Sequence, residues 1–299
     1  MNFTNKDIMK LREITGVGMM DCKRALQETN GDMDEAVKYL REKGMASAAK
    51  KASRIAAEGL VHCQVENNVA VLLEVNCETD FVARSDQFVA LVEKVAAYIL
   101  NHDVKDVEEL LTIAQISTLV AEATAAIGEK ISIRRFEKFV AGQNGVLESY
   151  IHMGGKIGVV VELQTAVSND QVAELGHNVC MQIAAAKPDV VSVNDVDPAK
   201  LEAEREILAN QARNEGKPEA IIEKMVVGRI QKYYKEVCLL EQPYVKNDEV
   251  NVKGEIARVA KAIGAEISVV RFAKYEMGQG IEKRVDTFAE EIEDALKNI

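Results

Sequence analysis

The stretch Ile127-Gly-Glu-Lys-Ile-Ser-Ile-Arg-Arg-Phe136 recurs in the same chain as Ile263-Gly-Ala-Glu-Ile-Ser-Val-Val-Arg-Phe272. In both copies a Gly closes a helical pattern, and alternating residues follow it, as a helix stop leading into a strand requires. Working outward, VAVLLEVN at 69–76 has a fainter echo in IGVVVELQ at 157–164. Each echo runs on into a helical pattern, 85–101 and 169–186 respectively. Two related β/α subdomains follow from this, an α+β class, with the second copy interrupted by an insertion.

Ahead of the first copy, the chain reads as three short helices. Thr4 and Asp7 make a capping-box-like start, with Ile8, Leu11 and Ile14 marking one face. Gly16 and Gly18 break that helix; a second covers about 19–29, and a third ends near Gly44. Three helices this short resemble a ubiquitin-associated domain. The insertion has Pro198 and Pro218 at helix starts, where a missing N–H costs nothing. Helices over 198–214 and 218–236, joined at Glu215-Gly216-Lys217, must run antiparallel as a hairpin. Its surface looks too small for a core of its own, so a partner or second copy is expected to cover one side. From 278 to 299 an amphipathic helix is expected. The resulting plan is a three-helix domain at 1–45, a linker helix at 46–58 and a first core subdomain at 59–140. The second core subdomain takes 141–187 and 237–277, the hairpin 188–236, and a C-terminal module 278–299.

Of 299 residues, 47% are apolar and 28% charged, an ordinary globular balance with room for two or three cores. The net charge is −11, and residues 1–60 hold 11 Lys/Arg against 9 Asp/Glu, so the remainder is strongly acidic. Duplex binding needs clustered positive charge to displace counterions, so no nucleic-acid partner is expected. The cysteines Cys22, Cys63, Cys77, Cys180 and Cys238 are odd in number and lack a C-x-x-C pair. They read as reduced thiols of a cytoplasmic protein. Met1 stands three residues before the helix start at Thr4, so no targeting peptide is expected. No apolar run approaches the roughly 18 residues of a span, so no membrane association is expected.

The chain has no G-x-x-x-x-G-K-[ST] loop. Gly16-Val-Gly18 begins like a dinucleotide fingerprint, but Asp21 stands where the third Gly would, and no strand precedes it. No cofactor is expected. His177 and Cys180 lie three apart on a helical pattern, but a metal pair without further ligands is weaker than ordinary core packing. No motif sets a His beside a nucleophile, so an enzyme is not expected.

Two apolar residues fit no core pattern. Cys22, Ala25, Leu26 and Thr29 share one stripe, which Met19 borders, while Met20 points nearly opposite among Lys23, Arg24 and Gln27. Met20 is either an adaptable contact or a scattered surface residue. In Cys77-Glu-Thr-Asp-Phe-Val-Ala-Arg-Ser-Asp-Gln-Phe88, a turn carries Asp80 beside Phe81 before a helix start at Ser85. Either Phe81 tucks under its own helix with Asp80 as cap, or the ring is thrust at a partner.

LREITGVGMMDCKRAL at 11–26 and ETDFVARSDQF at 78–88 resemble signature segments of the bacterial translation elongation factor Ts family. So do IGEKISIRRF, SYIHMGGKIGV at 149–159, GKPEAIIEKMVVGRI at 216–230 and GQGIEK at 278–283, in family order over nearly the whole chain. The resemblance implies a nucleotide exchange factor without covalent chemistry, partnered with elongation factor Tu. It implies that Thr79, Asp80, Phe81 and Val82 intrude beside the GTPase's nucleotide, Phe81 as the wedge. The Mg²⁺ ion and phosphate loop are then disturbed and GDP leaves. It also implies partner contacts at Arg12, Met19, Met20, Lys23 and His152, and at the hairpin and terminal helix. A homodimer or 2:2 complex through the hairpin stays open. A ubiquitin-associated-type adaptor would account for Met20 but not for Asp80-Phe81, and a thiol or metal enzyme would lack ligands.

Overall fold

The computed structural model describes residues 3–282. Within them the chain forms two compact units, 3–61 with 73–136 and 276–282, and 62–72 with 137–275. The expected helix over 278–299 lies, beyond residue 282, outside the described residues.

In the first unit, helix α1 (Asn5–Thr15) starts where the Asp7 carboxylate accepts hydrogen bonds from the Thr4 N–H and hydroxyl, and stops at left-handed Gly16. Helices α2 (Met19–Glu28) and α3 (Met33–Lys51) follow. Ile8, Leu11, Val17, Cys22, Ala25, Leu26, Ala36 and Leu40 form the core between the three. Ile14 is not part of it and stands 58% exposed. Six residues at 100° each carry it 120° away from Ile8, so the face continues through Thr15 instead.

Strands β1 (Glu58–Glu66) and β2 (Val69–Cys77) are joined at Asn67-Asn68. Helices α4 (Asp80–Ala83), α5 (Asp86–Asn101), α6 (Val107–Thr112) and α7 (Ala114–Ile127) precede β3 (Ser132–Val140). The strands form a sheet in the order β1-β2-β3. The third helix does not end near Gly44, as the sequence suggests, but continues to Lys51. Gly44 is a packing residue, because a Cβ there would meet the Ala125 Cβ at 3.2 Å and the Ala121 carbonyl oxygen at 3.4 Å. The missing side chain lets α3 lie close on α7. Gly44→Leu is expected to push the helices apart and cost about 1–3 kcal/mol, as overpacking does. Thermal unfolding followed by circular dichroism checks this, and an unchanged midpoint would count against the close approach.

In the second unit, β4 (Gly145–His152) pairs antiparallel with β5 (Ile157–Gln164), from Gly145 opposite Gln164 to His152 opposite Ile157. Helix α8 (Asp170–Ala186) packs on this pair. Then come α9 (Pro198–Asn214), α10 (Glu219–Val237), β6 (Pro243–Tyr244), β7 (Asn247–Asn251), α11 (Val252–Ile263) and β8 (Ser268–Glu276). The sheet order here is β4-β5-β8. Val159, Val161, Leu163, Leu175, Val179, Ile183 and Ile256 are among its buried core. The α9–α10 pair does enclose a core of its own, contrary to expectation. Ala212, Ile222, Val226 and Ile230 are buried, with Leu201, Leu208, Met225 and Tyr234 packed on them. Spacing of four along α10 keeps its stripe on one face, so two helices suffice to cover it.

The repeat has one local cause in both places. Gly128 and Gly264 close α7 and α11 at φ +88° and +71°, returning their N–H groups to the carbonyls of Thr124 and Ala260. That backbone region strains any residue with a Cβ. The duplication extends to a buried charge in each middle strand. Glu74 of β2 accepts from Arg135 Nε of β3 at 2.7 Å, and Glu162 of β5 accepts from Arg271 Nε of β8 at 2.7 Å. In the aligned copies these are the same two positions.

Candidate functional site

β2 ends at Cys77, and the chain must turn before α5 begins. Thr79 caps the single turn α4, accepting from the Val82 N–H at 3.4 Å, and Ser85 caps α5, accepting from Phe88 at 3.3 Å. Asp80 therefore caps neither helix. Its carboxylate meets Arg84 Nη2 at 3.1 Å, a largely exposed pair worth about 0–1 kcal/mol. Ala83 is buried beneath the turn and Val82 is half-buried. Phe81 points outward and is 83% exposed. Of the two readings of this ring, the outward one matches the geometry. Leaving it in water forgoes about 1.5–3 kcal/mol of burial.

With so little apolar contact, the turn is held from its base. The Glu129 carboxylate, just past Gly128, accepts from the N–H groups of Glu78 and Thr79 at 3.0 Å each and from the Thr79 hydroxyl at 2.7 Å. In return the Glu78 carboxylate accepts from the Lys130 N–H at 2.6 Å and from Arg54 Nη1 at 3.2 Å. Lys130 Nζ in turn donates to the Arg54 carbonyl at 2.8 Å. None of Arg54, Glu78 or Glu129 was singled out by sequence pattern. One signal was available: Glu129 stands where the second copy of the repeat has Ala265.

In the three-helix region, Met20 is 69% exposed and Met19 47%, Arg12 is exposed and Lys23 half-buried. Cys22, Ala25 and Leu26 face the core as the stripe requires. Met9 and Ile14 add exposed apolar surface on α1. His152 belongs to the second unit, exposed at the end of β4, with Nδ1 2.9 Å from the Tyr150 hydroxyl. The Tyr150 ring meets His177 edge-on at 5.3 Å. The hairpin tip after His152 uses left-handed backbone at Met153, Gly154 and Gly155.

Four of the five thiols are poorly suited to nucleophilic work, which needs a lowered pKa. Burial pushes Cys63 up to about 12 and Cys238 up to about 11, and raises Cys22 and Cys180 as well. Cys180 Sγ donates to the Glu148 carbonyl at 3.5 Å. Burial also raises the Glu148 carboxyl, with His177 opposing the shift. Among the described residues no three His, Cys, Asp or Glu side chains are arranged to hold a metal ion, and no helix is long and apolar enough to cross a membrane.

A family model described as elongation factor TS matches residues 78–279, a span that opens at the turn bearing Phe81. Elongation factor Ts of Clostridium perfringens (strain SM101) is 49% identical over 296 residues, covering 97% of each chain. That of Clostridioides difficile is 49% identical over 303 residues, with 99% of each covered. The Symbiobacterium thermophilum protein is 50% identical over 295 residues, covering 97% of this chain and 96% of its own. Near-complete coverage at this identity leaves no room for a different architecture, and the chain belongs to the elongation factor Ts family.

Proposed function

We propose that the protein is a guanine nucleotide exchange factor for elongation factor Tu, acting in translation elongation in the cytoplasm. It binds the GDP-bound GTPase and releases GDP without covalent chemistry of its own. The observation that carries this reading, in a member of this family, is Phe81: an outward ring on a turn whose base is bonded to a carboxylate. Phe81 enters beside the nucleotide site, accompanied by Thr79, Asp80 and Val82. A Mg²⁺ ion bridging phosphates supplies much of a nucleotide's grip, so disturbing its surroundings attacks affinity directly. Exchange factor and GDP then each weaken the other by one coupling free energy. Arg12, Met19, Met20, Lys23 and His152 provide the wider contact that holds the factor on the GTPase.

The test is stopped-flow release of fluorescent GDP from elongation factor Tu. An acceleration of ~10³–10⁵-fold corresponds to ~4–7 kcal/mol off the dissociation barrier. No acceleration at micromolar concentration would overturn the reading. Met20, by contrast with Phe81, is a contact on one helix face. Met20→Ala is expected to raise the half-saturating concentration about five- to thirtyfold, ~1–2 kcal/mol of binding, with the limiting rate unchanged. A fall in the limiting rate at unchanged half-saturation would remove Met20 from the contact surface.

A further inference from the structure

The connection from middle strand to helix exists twice in this chain, and the two versions differ in a way that assigns a role to Glu129. In the second copy, β5 ends at Gln164 and Asn169 caps α8, so residues 165–168 make the crossing. In the first, β2 ends at Cys77 and Ser85 caps α5, so residues 78–84 make it. The three-residue excess is where Phe81 sits. At the matching repeat position the long crossing faces Glu129 and the short one has Ala265. The short crossing closes on the residue before β4 and on itself, with Thr165 N–H donating to the Asn144 carbonyl at 3.0 Å and Val167 N–H to the Thr165 hydroxyl at 3.4 Å. The long crossing leaves the Glu78 and Thr79 N–H groups outside both strand and helix ladders. Buried or half-buried backbone donors need partners, and the Glu129 carboxylate supplies them.

We propose that Glu129 is a positioning residue for nucleotide exchange, fixing the base of the turn so that Phe81 is aimed outward before the partner arrives; this rests on the exchange reading above. One helical turn of four residues does not hold itself, because helix nucleation is unfavourable. Phe81, at 83% exposure, has almost no packing to orient it. Direction comes from the two ends of the turn: beyond the ring Ala83 is buried and the Ser85 hydroxyl donates to the Val82 carbonyl at 2.8 Å, and before it Thr79 is held by Glu129 through both its N–H and its hydroxyl. Glu129 does so from the short segment between the Gly128 stop and β3.

The experiment is GDP release from elongation factor Tu by the full chain carrying Glu129→Ala, Glu129→Gln, Phe81→Ala, or Phe81→Ala with Glu129→Ala. Misplacing a group by about an ångström costs ~10²-fold in favourable cases, so Glu129→Ala should lower the limiting release rate about ten- to a hundredfold. The half-saturating concentration should stay near wild type, and the double variant should be no slower than Phe81→Ala alone. An unchanged limiting rate, or losses that multiply in the double variant, would overturn the assignment. Amide exchange on the free protein reads the same contact without the GTPase. Glu129→Gln, close to the native shape, should speed exchange at Glu78 and Thr79, and unchanged rates there would also overturn it. If wild type fails to release GDP, the exchange reading falls, while the amide rates still report whether Glu129 holds the turn.

Discussion

Phe81→Ala is expected to slow the limiting rate of GDP release from elongation factor Tu by about ten- to a hundredfold. A Phe side chain carries ~1.5–3 kcal/mol of burial free energy, and each ~1.4 kcal/mol is tenfold in rate. In the free protein that energy is unrealised, because the ring is 83% exposed. An interaction made only as the nucleotide leaves appears in the rate and not in the affinity. The half-saturating concentration should therefore change by less than about threefold, well under the ~1.4 kcal/mol of a tenfold shift. The folded state should not suffer, since removing an exposed ring opens no cavity. Thermal midpoint and release kinetics measured on the same preparation test this. Equal losses in limiting rate and affinity would mean that Phe81 is an ordinary contact.

What the sequence made legible was local in origin. Gly128 and Gly264 announce helix stops because only a residue without Cβ takes that backbone angle easily, and Pro198 announces a helix start because its missing N–H is not needed there. Met20 and Phe81 stood out because each breaks the apolar pattern of its own element. The failures were all tertiary. Ile14 has the residue type of the α1 core face but the wrong angle, and Gly44 looks like a stop because only α7, some eighty residues away, explains it. The α9–α10 core depends on how closely two helices approach, which composition does not state. Glu129 binds the Thr79 turn from 50 positions down the chain. The outward Phe81 was therefore legible while the carboxylate under its turn was not.

Glu74→Ala is expected to be the most destabilising single change, and the duplicated ion pair provides its control. Both Glu74 and Glu162 lie in the middle strand of a three-stranded sheet and accept from an Arg Nε at 2.7 Å. Glu74 does more. It also accepts from Arg134 Nη1 at 3.0 Å and from the buried Gly278 N–H at 2.7 Å, and its side chain is fully buried. Arg135 and Arg134 continue to the carbonyls of Glu276 and Gln279, so one carboxylate fastens the segment after β8. Gly278 is required there, because a Cβ would stand 2.5 Å from the Ala57 carbonyl oxygen. Removing Glu74 takes the carboxylate from two arginines that are 25% and 30% exposed and leaves the buried Gly278 N–H without its acceptor, and breaking a buried pair costs about 3–5 kcal/mol. For units of this size that lowers the thermal midpoint by roughly 10 °C. Glu162→Ala should cost clearly less, because Arg271 is 48% exposed and can turn to water. Acidity gives a second test of Glu74. Burial alone would raise the Glu74 carboxyl, but the Gly278 N–H, Arg135 and Arg134 outweigh it and hold it below the ordinary range. A lowered folded pKa makes the stabilisation complete above the unfolded value, about 4.3, and lost as pH falls through the folded one. Wild type should therefore lose midpoint on acidification below about pH 4 more steeply than Glu74→Gln, whose side chain does not titrate. Parallel acid profiles for the two, or equal damage from Glu74→Ala and Glu162→Ala, would show that the extra partners of Glu74 add nothing to the fold.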